Sequence, residues 1–254
     1  MPTWIAGRAR NDRFLPHDRF LPHDRLLPHY RLLPHDRLLI HASVLLNEQL
    51  LHIGMSFIYL ASQSPRRRQL LEQLGIAHQL LLPDAQEDAE SLEAVIGNEA
   101  PATYVQRVTR LKLDAAVARM KRRGLPAAPV LCSDTTVALR RSIYGKPEDA
   151  ADAQRMLAEL SGTTHRVLTA VAIQKGRQRV AALSESRVTF APMSRAAIKA
   201  YVASSEPMGK AGAYAVQGAA AAFISHISGS YSGIMGLPMF ETAQLLKALG
   251  LMKK

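Results

Sequence analysis

The order of apolar and polar residues predicts alternating strands and helices from Met55 onward. Short apolar or β-branched runs indicate strands, and segments with apolar residues three or four apart indicate helices. The predicted strands cover residues 57–61, 77–82, 130–133, 135–139, 165–174 and 180–190. The predicted helices cover residues 65–74, 101–123, 149–160, 194–204 and 241–249, with a turn at 142–145 and a mixed glycine-rich segment at 209–238. One face of the longest helix carries residues expected to be buried, Tyr104, Val108, Leu111 and Ala115. The interleaving predicts an α/β fold with a mixed, strongly twisted β-sheet flanked by helices.

Residues 1–54 have a different character from the rest of the chain. From Asp12 onward they repeat a hexamer, DRFLPH or DRLLPH, whose prolines at every sixth position forbid a continuous helix. The repeated histidines are compatible with a metal-binding tract, but duplication of one hexamer explains them equally well. We interpret this part as a low-complexity leader, either disordered or read from a start codon placed too early, with Met55 as the true start. The domain that carries the function is therefore predicted at residues 55–254.

Composition favours a globular domain with an anionic partner. The chain is 48% hydrophobic, has a net charge of +11 and contains one cysteine, which fits the reducing cytoplasm. Residues 55–254 hold 25 of the 32 Lys and Arg and 16 of the 21 Asp and Glu, a net charge of +9. Nucleotides, nucleic acid and acidic membrane surfaces are all suitable partners for such a charge. No run is apolar and long enough to span a bilayer.

The loop after the first predicted strand has the features of a phosphate site. Ser64 suits the N-cap of the following helix and Pro65 its first position. Free backbone N–H groups, the Ser62 and Ser64 hydroxyls, and the arginines at 66 and 67 would then converge on one point. An ordinary capped helix with surface arginines explains the same residues, so the two interpretations stay open.

Four later segments contain further candidates. Asp134 is expected at the end of an apolar strand, where a carboxylate can bind metal, act as a general base or cap a turn. Lys146, between a glycine and a proline, can present a point charge to phosphate. His165 starts a strand and suits a structural role at least as well as a chemical one. Gln217 follows a glycine-rich segment and could hydrogen-bond the edge of a base.

Taken in order, the segments LASQSPRR, SDTTV, GKP, LSGTTH, AGAYAVQG and GSYSGIMGLP resemble the Maf family of nucleoside triphosphate pyrophosphatases. The resemblance covers residues 56–249. It implies hydrolysis of a nucleoside triphosphate to the monophosphate and pyrophosphate, a divalent metal such as Mg²⁺ or Mn²⁺, and a homodimer. It also implies a fold related to the inosine triphosphatases.

The resemblance also assigns roles to residues of this chain. Asp134 is the implied proton acceptor and, with Glu87, the implied metal ligand. The implied phosphate-binding residues are Arg66, Arg67, Lys112 and Lys146, to which the loop itself adds the candidates Ser62 and Ser64. The positions that distinguish substrates fall on Arg66, Thr135 and Gln217. AGAYAVQG resembles the subgroup that acts on dTTP and UTP, whereas an AGSFxxEG pattern is associated with 7-methyl-GTP. Gln86 and Ser133 depart from the usual family residues, an acid and an alanine.

Three alternatives stay open at this point. The substrate can be a modified pyrimidine nucleotide, or a purine or non-standard nucleotide, although a glutamine at position 217 favours pyrimidines. The chain can also be a non-catalytic nucleotide- or DNA-binding regulator, because the family name is tied to septum formation. An aromatic content of only 6% and the lack of a helix-turn-helix signature argue against nucleic acid.

Overall fold

The computed structural model of the chain describes residues 57–84, 87–88 and 91–253. The predictions for the leader and for a start at Met55 lie outside these residues. Seven strands form one sheet in the order β2-β1-β3-β5-β6-β7, with β4 paired to β3. The strands are β1 Ile58–Leu60, β2 His78–Leu80, β3 Val130–Leu139, β4 Ser142–Tyr144, β5 Thr164–Lys175, β6 Gln178–Phe190 and β7 Ile224–Ser228. The pairs β1–β2 and β1–β3 are parallel and the others antiparallel, so the predicted mixed sheet is confirmed.

Helices cover both faces of the sheet. They are α1 Pro65–Gln73, α2 Pro101–Arg122, α3 Ala150–Leu160, α4 Arg195–Ala203, α5 Tyr231–Met235 and α6 Met239–Ala248. On one face, Leu113 and Val117 of α2 pack with Cys132 of β3. On the other, Leu246 of α6 packs with Leu131 of β3. Successive residues of a strand point to opposite faces, so β3 supplies side chains to both layers.

Strand β3 is where the structure departs most from the predicted elements. The sequence predicts two short strands with Asp134 at the end of the first, but β3 runs unbroken through Asp134. Ser133 and Asp134 are tolerated there because both find a partner: the Ser133 hydroxyl lies 2.8 Å from the Ala170 carbonyl oxygen, and Asp134 binds Lys112. The predicted turn at 142–145 is also wrong, since Ser142–Tyr144 pair with β3 as strand β4.

The buried face of α2 differs in part from the predicted one. Tyr104 and Val108 are buried as expected, but Leu111 is 36% exposed. The apolar stripe turns instead through Leu113 and Ala116, which contact the sheet. None of the helices in residues 57–84, 87–88 and 91–253 combines the length and hydrophobicity needed to cross a membrane.

A gap in the sheet beside β3 positions the candidate site. Strand β1 pairs with β3 only at Val130 and Leu131 of β3, and β4 pairs with β3 only from Val137 onward. Between them, residues 132–136 of β3 pair with β5 on one side alone, as far as the described residues show. The chain leaves β1 at this gap and enters the loop before α1. Both faces of the middle of β3 are therefore accessible from one opening.

Candidate active site

A cavity of about 740 Å³ opens at the gap beside β3. Its size is in the range of small-molecule sites, about 300–1,000 Å³. Its wall comes from the start of α1, the middle of β3, one face of α2 and the loops around residues 145–146, 209–217 and 234–236. Every residue predicted to take part in catalysis, phosphate binding, metal binding or substrate choice lines it: Ser62, Ser64, Arg66, Arg67, Glu87, Lys112, Asp134, Thr135, Lys146 and Gln217. Their individual roles stay predictions.

The arginines at the start of α1 differ in how they are held. Arg67 donates from Nε to the Gly236 carbonyl oxygen at 2.7 Å, and its Nη groups donate to the Ser62 and Thr135 hydroxyls at 3.1 and 3.3 Å. Arg66 makes one hydrogen bond within the described residues, from Nε to the Met235 carbonyl oxygen at 3.3 Å. Arg67 is thus oriented by the protein, whereas Arg66 keeps more donors for a ligand.

Burial lowers the pKa of both arginine side chains, and the nearby Asp134 partly opposes this at Arg67. Two desolvated cations therefore adjoin a helix N-terminus, where positive charge is already disfavoured. A bound polyanion would relieve both costs. Arg68 lies outside this arrangement, because its exposed side chain is only 3.8 Å from Glu72 one turn along the helix.

The two serines of the loop act mainly on the loop itself. The buried Ser62 hydroxyl accepts hydrogen bonds from the backbone N–H of Ser64 and from Arg67. Ser64 is the N-cap residue and Pro65 the first helical residue, as predicted, but the Ser64 side chain makes no capping bond. The first N–H groups of α1 consequently lack the usual side-chain acceptor, which is the condition for binding an anion at a helix start.

Asp134 lies in a cluster of alternating charges. Lys112 Nζ is 2.5 Å from Asp134 Oδ1 and 2.7 Å from Glu93 Oε1, and Lys146 Nζ is 3.2 Å from both Glu93 oxygens. Burial lowers the pKa of Lys112, but the two carboxylates raise it more, and the net shift is upward. Burial raises the pKa of Glu93, but the two lysines lower it more. Lys112 is therefore held as a cation, and Glu93 joins it to Lys146.

Glu87 is held by arginines of α2. The Nε of the buried Arg119 donates to both carboxylate oxygens at 2.9 Å, and Arg122 binds Oε1 at 2.5 Å. Hydrogen bonds from Arg119, opposed by burial and reinforced by Arg122, lower the pKa of Glu87 to about 2. Within the described residues, no three His, Cys, Asp or Glu side chains come close enough to form a metal cage.

The chemistry of the cavity nevertheless fits a hard divalent cation. Mg²⁺ binds carboxylate oxygens and usually takes several of its ligands from substrate phosphates and water rather than from protein. Asp134 has one carboxylate oxygen, Oδ2, with no partner among the described residues, and Glu87 lies on the same cavity wall. A site completed by the substrate therefore agrees with the lack of a protein cage.

The remaining candidates are Thr135, Gln217 and His165. The Thr135 hydroxyl accepts from Arg67 and lies 3.0 Å from the Thr169 hydroxyl, which links the β3 wall to the arginine. Gln217 has an exposed side chain on the cavity wall. His165 is buried outside the cavity lining, and its Nε2 lies 2.8 Å from the hydroxyl of Tyr214. The structural interpretation of His165 is thereby favoured.

Two residues of the site are missing from the sequence-based prediction. Glu93 joins Lys112 to Lys146, and Arg119 fixes Glu87. A signal existed for Arg119, because it falls seven residues after Lys112 on the same side of α2, and a buried arginine requires an acidic partner. Glu93 follows no motif and lies in a short 3₁₀ turn, so only the folded chain shows its neighbours.

The protein is an α/β protein with one mixed sheet, and its cavity brings the predicted site residues together. The comparisons with known proteins give its family. The sequence profile described as Maf-like protein matches residues 57–249. This match spans well over half of the 254 residues, and the chain belongs to the Maf family.

Curated relatives are similar over nearly their whole length. A protein of Albidiferax ferrireducens is 76% identical over 194 residues, which are 76% of this chain and 97% of the relative. A Polaromonas protein is 72% identical over 195 residues, 77% of this chain and 96% of the relative. A Cupriavidus metallidurans protein is 63% identical over 196 residues, 77% of this chain and 98% of the relative. Each of the three is named dTTP/UTP pyrophosphatase.

Among solved structures, the Staphylococcus aureus Ham1 protein aligns with 53% of this chain and 72% of its own, at 11% identity and a TM-score of 0.34. The relation to inosine triphosphatases stays a prediction.

Proposed function

We propose that this chain hydrolyses dTTP and UTP, and modified pyrimidine nucleotides of the same shape, to the monophosphate and pyrophosphate. One observation carries the proposal: Asp134 shares a cavity with three cations from different segments, Arg66, Lys112 and Lys146. Phosphoryl transfer depends mainly on positioning and charge neutralisation, which such a cavity supplies. The names of the three relatives support the same substrates.

In the proposed reaction, Asp134 is the general base. Its carboxylate takes a proton from a water molecule, whose oxygen bonds to phosphorus as the bridging α–β bond breaks and pyrophosphate leaves. Lys112 and Lys146 neutralise the phosphates after exchanging Glu93 for phosphate oxygens. Arg66 and the N–H groups of α1 bind the phosphates at the other side of the cavity.

Asp134 and Glu87 are the carboxylates that would hold a Mg²⁺ or Mn²⁺ ion together with the substrate. Bound there, the ion neutralises developing charge on the phosphate oxygens. Arg119 and Arg122 hold Glu87 ionised at the edge of the cavity, which suits an outer contact through water better than direct coordination.

Gln217 is the proposed reader of the base, with Arg66 and Thr135 as further positions of substrate choice. A glutamine amide offers one donor and one acceptor, which match the adjacent N–H and carbonyl of uracil or thymine. An ionised glutamate at this position could only accept. We also propose that the protein is a homodimer, because the family resemblance implies one. We place it in the cytoplasm, because its single cysteine is free and buried.

Pyrophosphate release from a panel of nucleotides tests the proposal. UTP, dTTP, CTP, GTP and modified pyrimidine nucleotides would each be assayed with Mg²⁺, with Mn²⁺ and with a chelator. We expect UTP and dTTP to be hydrolysed fastest, and the chelator to remove activity. Equal rates on GTP and UTP would refute the substrate choice. A salt-sensitive DNA gel shift without pyrophosphate release would instead support the regulator.

A further inference from the structure

The loop that carries Gln217 has few hydrogen bonds of its own. Residues 214–218 lie between two 3₁₀ turns, Ala211–Ala213 and Ala219–Phe223, and outside regular structure. Their one internal backbone bond runs from Gly218 N–H to the Ala215 carbonyl oxygen at 3.0 Å. A loop this short of internal bonds needs other contacts to hold an exposed side chain in a fixed place.

The first of these contacts is at Tyr214. Its buried ring packs edge-on against Phe190 and His165, with centroid distances of 4.9 and 5.4 Å. The Tyr214 hydroxyl lies 2.8 Å from His165 Nε2. Because His165 is the second residue of β5 and Phe190 the last of β6, this contact fixes the beginning of the loop to the sheet.

The second contact is a carboxylate at the end of the loop. Glu206, in the segment after α4, accepts a hydrogen bond from the backbone N–H of Ala219 at 3.0 Å and from the Tyr201 hydroxyl at 2.8 Å. Gly218 packs so closely on this carboxylate that a Cβ there would lie 2.2 Å from Glu206 Oε1. The backbone directly after Gln217 thus rests on one ionised side chain.

Glu206 is itself well fixed. Its backbone N–H donates to the Ser204 hydroxyl at 3.2 Å, and its carbonyl oxygen accepts from Lys210 Nζ at 2.9 Å. Burial raises the pKa of its carboxyl, but the Ala219 N–H and the Tyr201 hydroxyl lower it more, so Glu206 stays an acceptor at neutral pH. Because the Glu206 carboxylate is fixed in place, it can determine the position of the backbone at Gly218 and Ala219.

We infer that Glu206 is a positioning residue for base recognition, which holds the backbone at Gly218 and Ala219 so that Gln217 presents its amide to the nucleobase. The inference rests on the proposed function, because it requires that Gln217 reads the base. Glu206 does not line the cavity. Its loss should therefore affect the choice of base rather than the chemistry of the triphosphate.

Steady-state kinetics on UTP and GTP with the full chain test this role. We expect Glu206→Ala to raise KM for UTP about tenfold and to lower the UTP-over-GTP preference by a similar factor, with kcat within about threefold, since displacement of a binding group by 1 Å can cost up to about a hundredfold. Glu206→Gln keeps the size and one acceptor and should recover part of both. Glu159→Ala is the matched control, because Glu159 also accepts from a tyrosine hydroxyl, that of Tyr144, at 2.6 Å.

Gly218→Ala disturbs the same contact by changing the loop backbone instead of the carboxylate. The backbone of Gly218 has a φ of −102°, which alanine adopts without strain, so the variant adds only a methyl group against the Glu206 carboxylate. We expect it to reproduce the change in KM and preference. In the double variant with Glu206→Ala, Gly218→Ala should change KM and preference little further, because the carboxylate against which the added methyl group would clash is absent.

The outcomes separate this role from the proposed function. If Gln217→Ala leaves the preference for UTP unchanged, the base-reading role of Gln217 is wrong. If Gln217→Ala lowers the preference but Glu206→Ala, Glu206→Gln and Gly218→Ala do not, the positioning role is overturned. The positioning role is also overturned if kcat falls equally on UTP and GTP. It is overturned as well if Glu206→Ala melts at so low a temperature that it is unfolded in the assay, while Gly218→Ala keeps the preference for UTP.

Discussion

Asp134 is the residue on which the proposed hydrolysis depends most directly. Replacing it with asparagine keeps the shape but removes the negative charge and the proton-accepting oxygen. We expect Asp134→Asn to lower kcat at least about a thousandfold, within the range of losses known for a general base acting with electrostatic stabilisation. Nucleotide affinity should be kept, because Lys112 loses a competing partner. Pyrophosphate release and calorimetric binding of UTP measure the two effects.

Asp114→Asn is a suitable control for that variant. Asp114 lies two residues after Lys112 in the same helix, but its exposed side chain pairs with Arg179 away from the cavity. It should hydrolyse UTP normally. Near-normal pyrophosphate release by Asp134→Asn would contradict the assignment of the base.

His165 makes the stability of the protein depend on pH. Burial lowers its pKa to about 4, from an ordinary value of 6.5. The neutral form is therefore favoured by folding, so its stabilisation is complete above pH 6.5 and is lost as the pH falls toward 4. Linkage gives a loss of about 2 kcal/mol between pH 7.5 and pH 5. Urea unfolding at several pH values measures it.

His165→Gln should flatten this pH dependence, whatever its stability at pH 7.5. His226→Gln is the control, because His226 is exposed on β7 and should leave the slope unchanged. Carboxylates with a lowered pKa, such as Glu87 and Glu93, stabilise the fold above about pH 4.5, the ordinary value, and this stabilisation is lost only as the pH falls below that value. An unchanged slope in His165→Gln would show that another group titrates.

The 3₁₀ turn before Tyr214 depends on a glycine. Gly212 has a φ of +68°, and a Cβ there would lie 2.8 Å from Val137 Cγ2 in β3. Gly212→Ala combines backbone strain with a clash in the core, and we expect it to lower the free energy of unfolding by about 3 kcal/mol. Gly176→Ala has the same sign of φ but open space, so it should cost about 1 kcal/mol. Equal losses in urea unfolding would refute the packing argument.

The sequence predicts an element well when nearby residues determine it, and poorly when distant parts of the chain do. Helix α1 is marked by Pro65 and ends before Gly75, and its predicted and observed bounds differ by one residue. Strand β4 was missed because Ser142–Tyr144 is short and polar at its start. It forms only because β3 turns back tightly at Arg140, which has a φ of +56°.

In the candidate site, too, residues in local motifs could be predicted from the sequence, and contacts between distant residues could not. Residues in motifs, such as Arg66, Asp134 and Gln217, could be named from the sequence, and they line one cavity. The sequence could not show that Glu93 joins the two lysines, because the contact spans 19 and 53 positions. It also could not show that Asp134 lies within a strand, since the partners of β3 decide where that strand ends.

The cavity requires nearly the whole domain. Its wall combines residues from Ala61 to Gly236. The gap through which it opens exists because β1 pairs with the beginning of β3 and β4 with its end. The family profile begins close to the same point, at residue 57.

A chain that starts at Met55 should therefore keep full function. We expect its kcat/KM for UTP to lie within about twofold of the full chain and its melting midpoint to be unchanged, because the whole segment that matches the family profile, residues 57–249, is kept. A chain that starts at Ala61 is the control. It lacks β1, whose Ile58 and Leu60 are buried in the core, and should not fold. If the Met55 chain loses activity or melts at a lower temperature, the leader belongs to the functional protein.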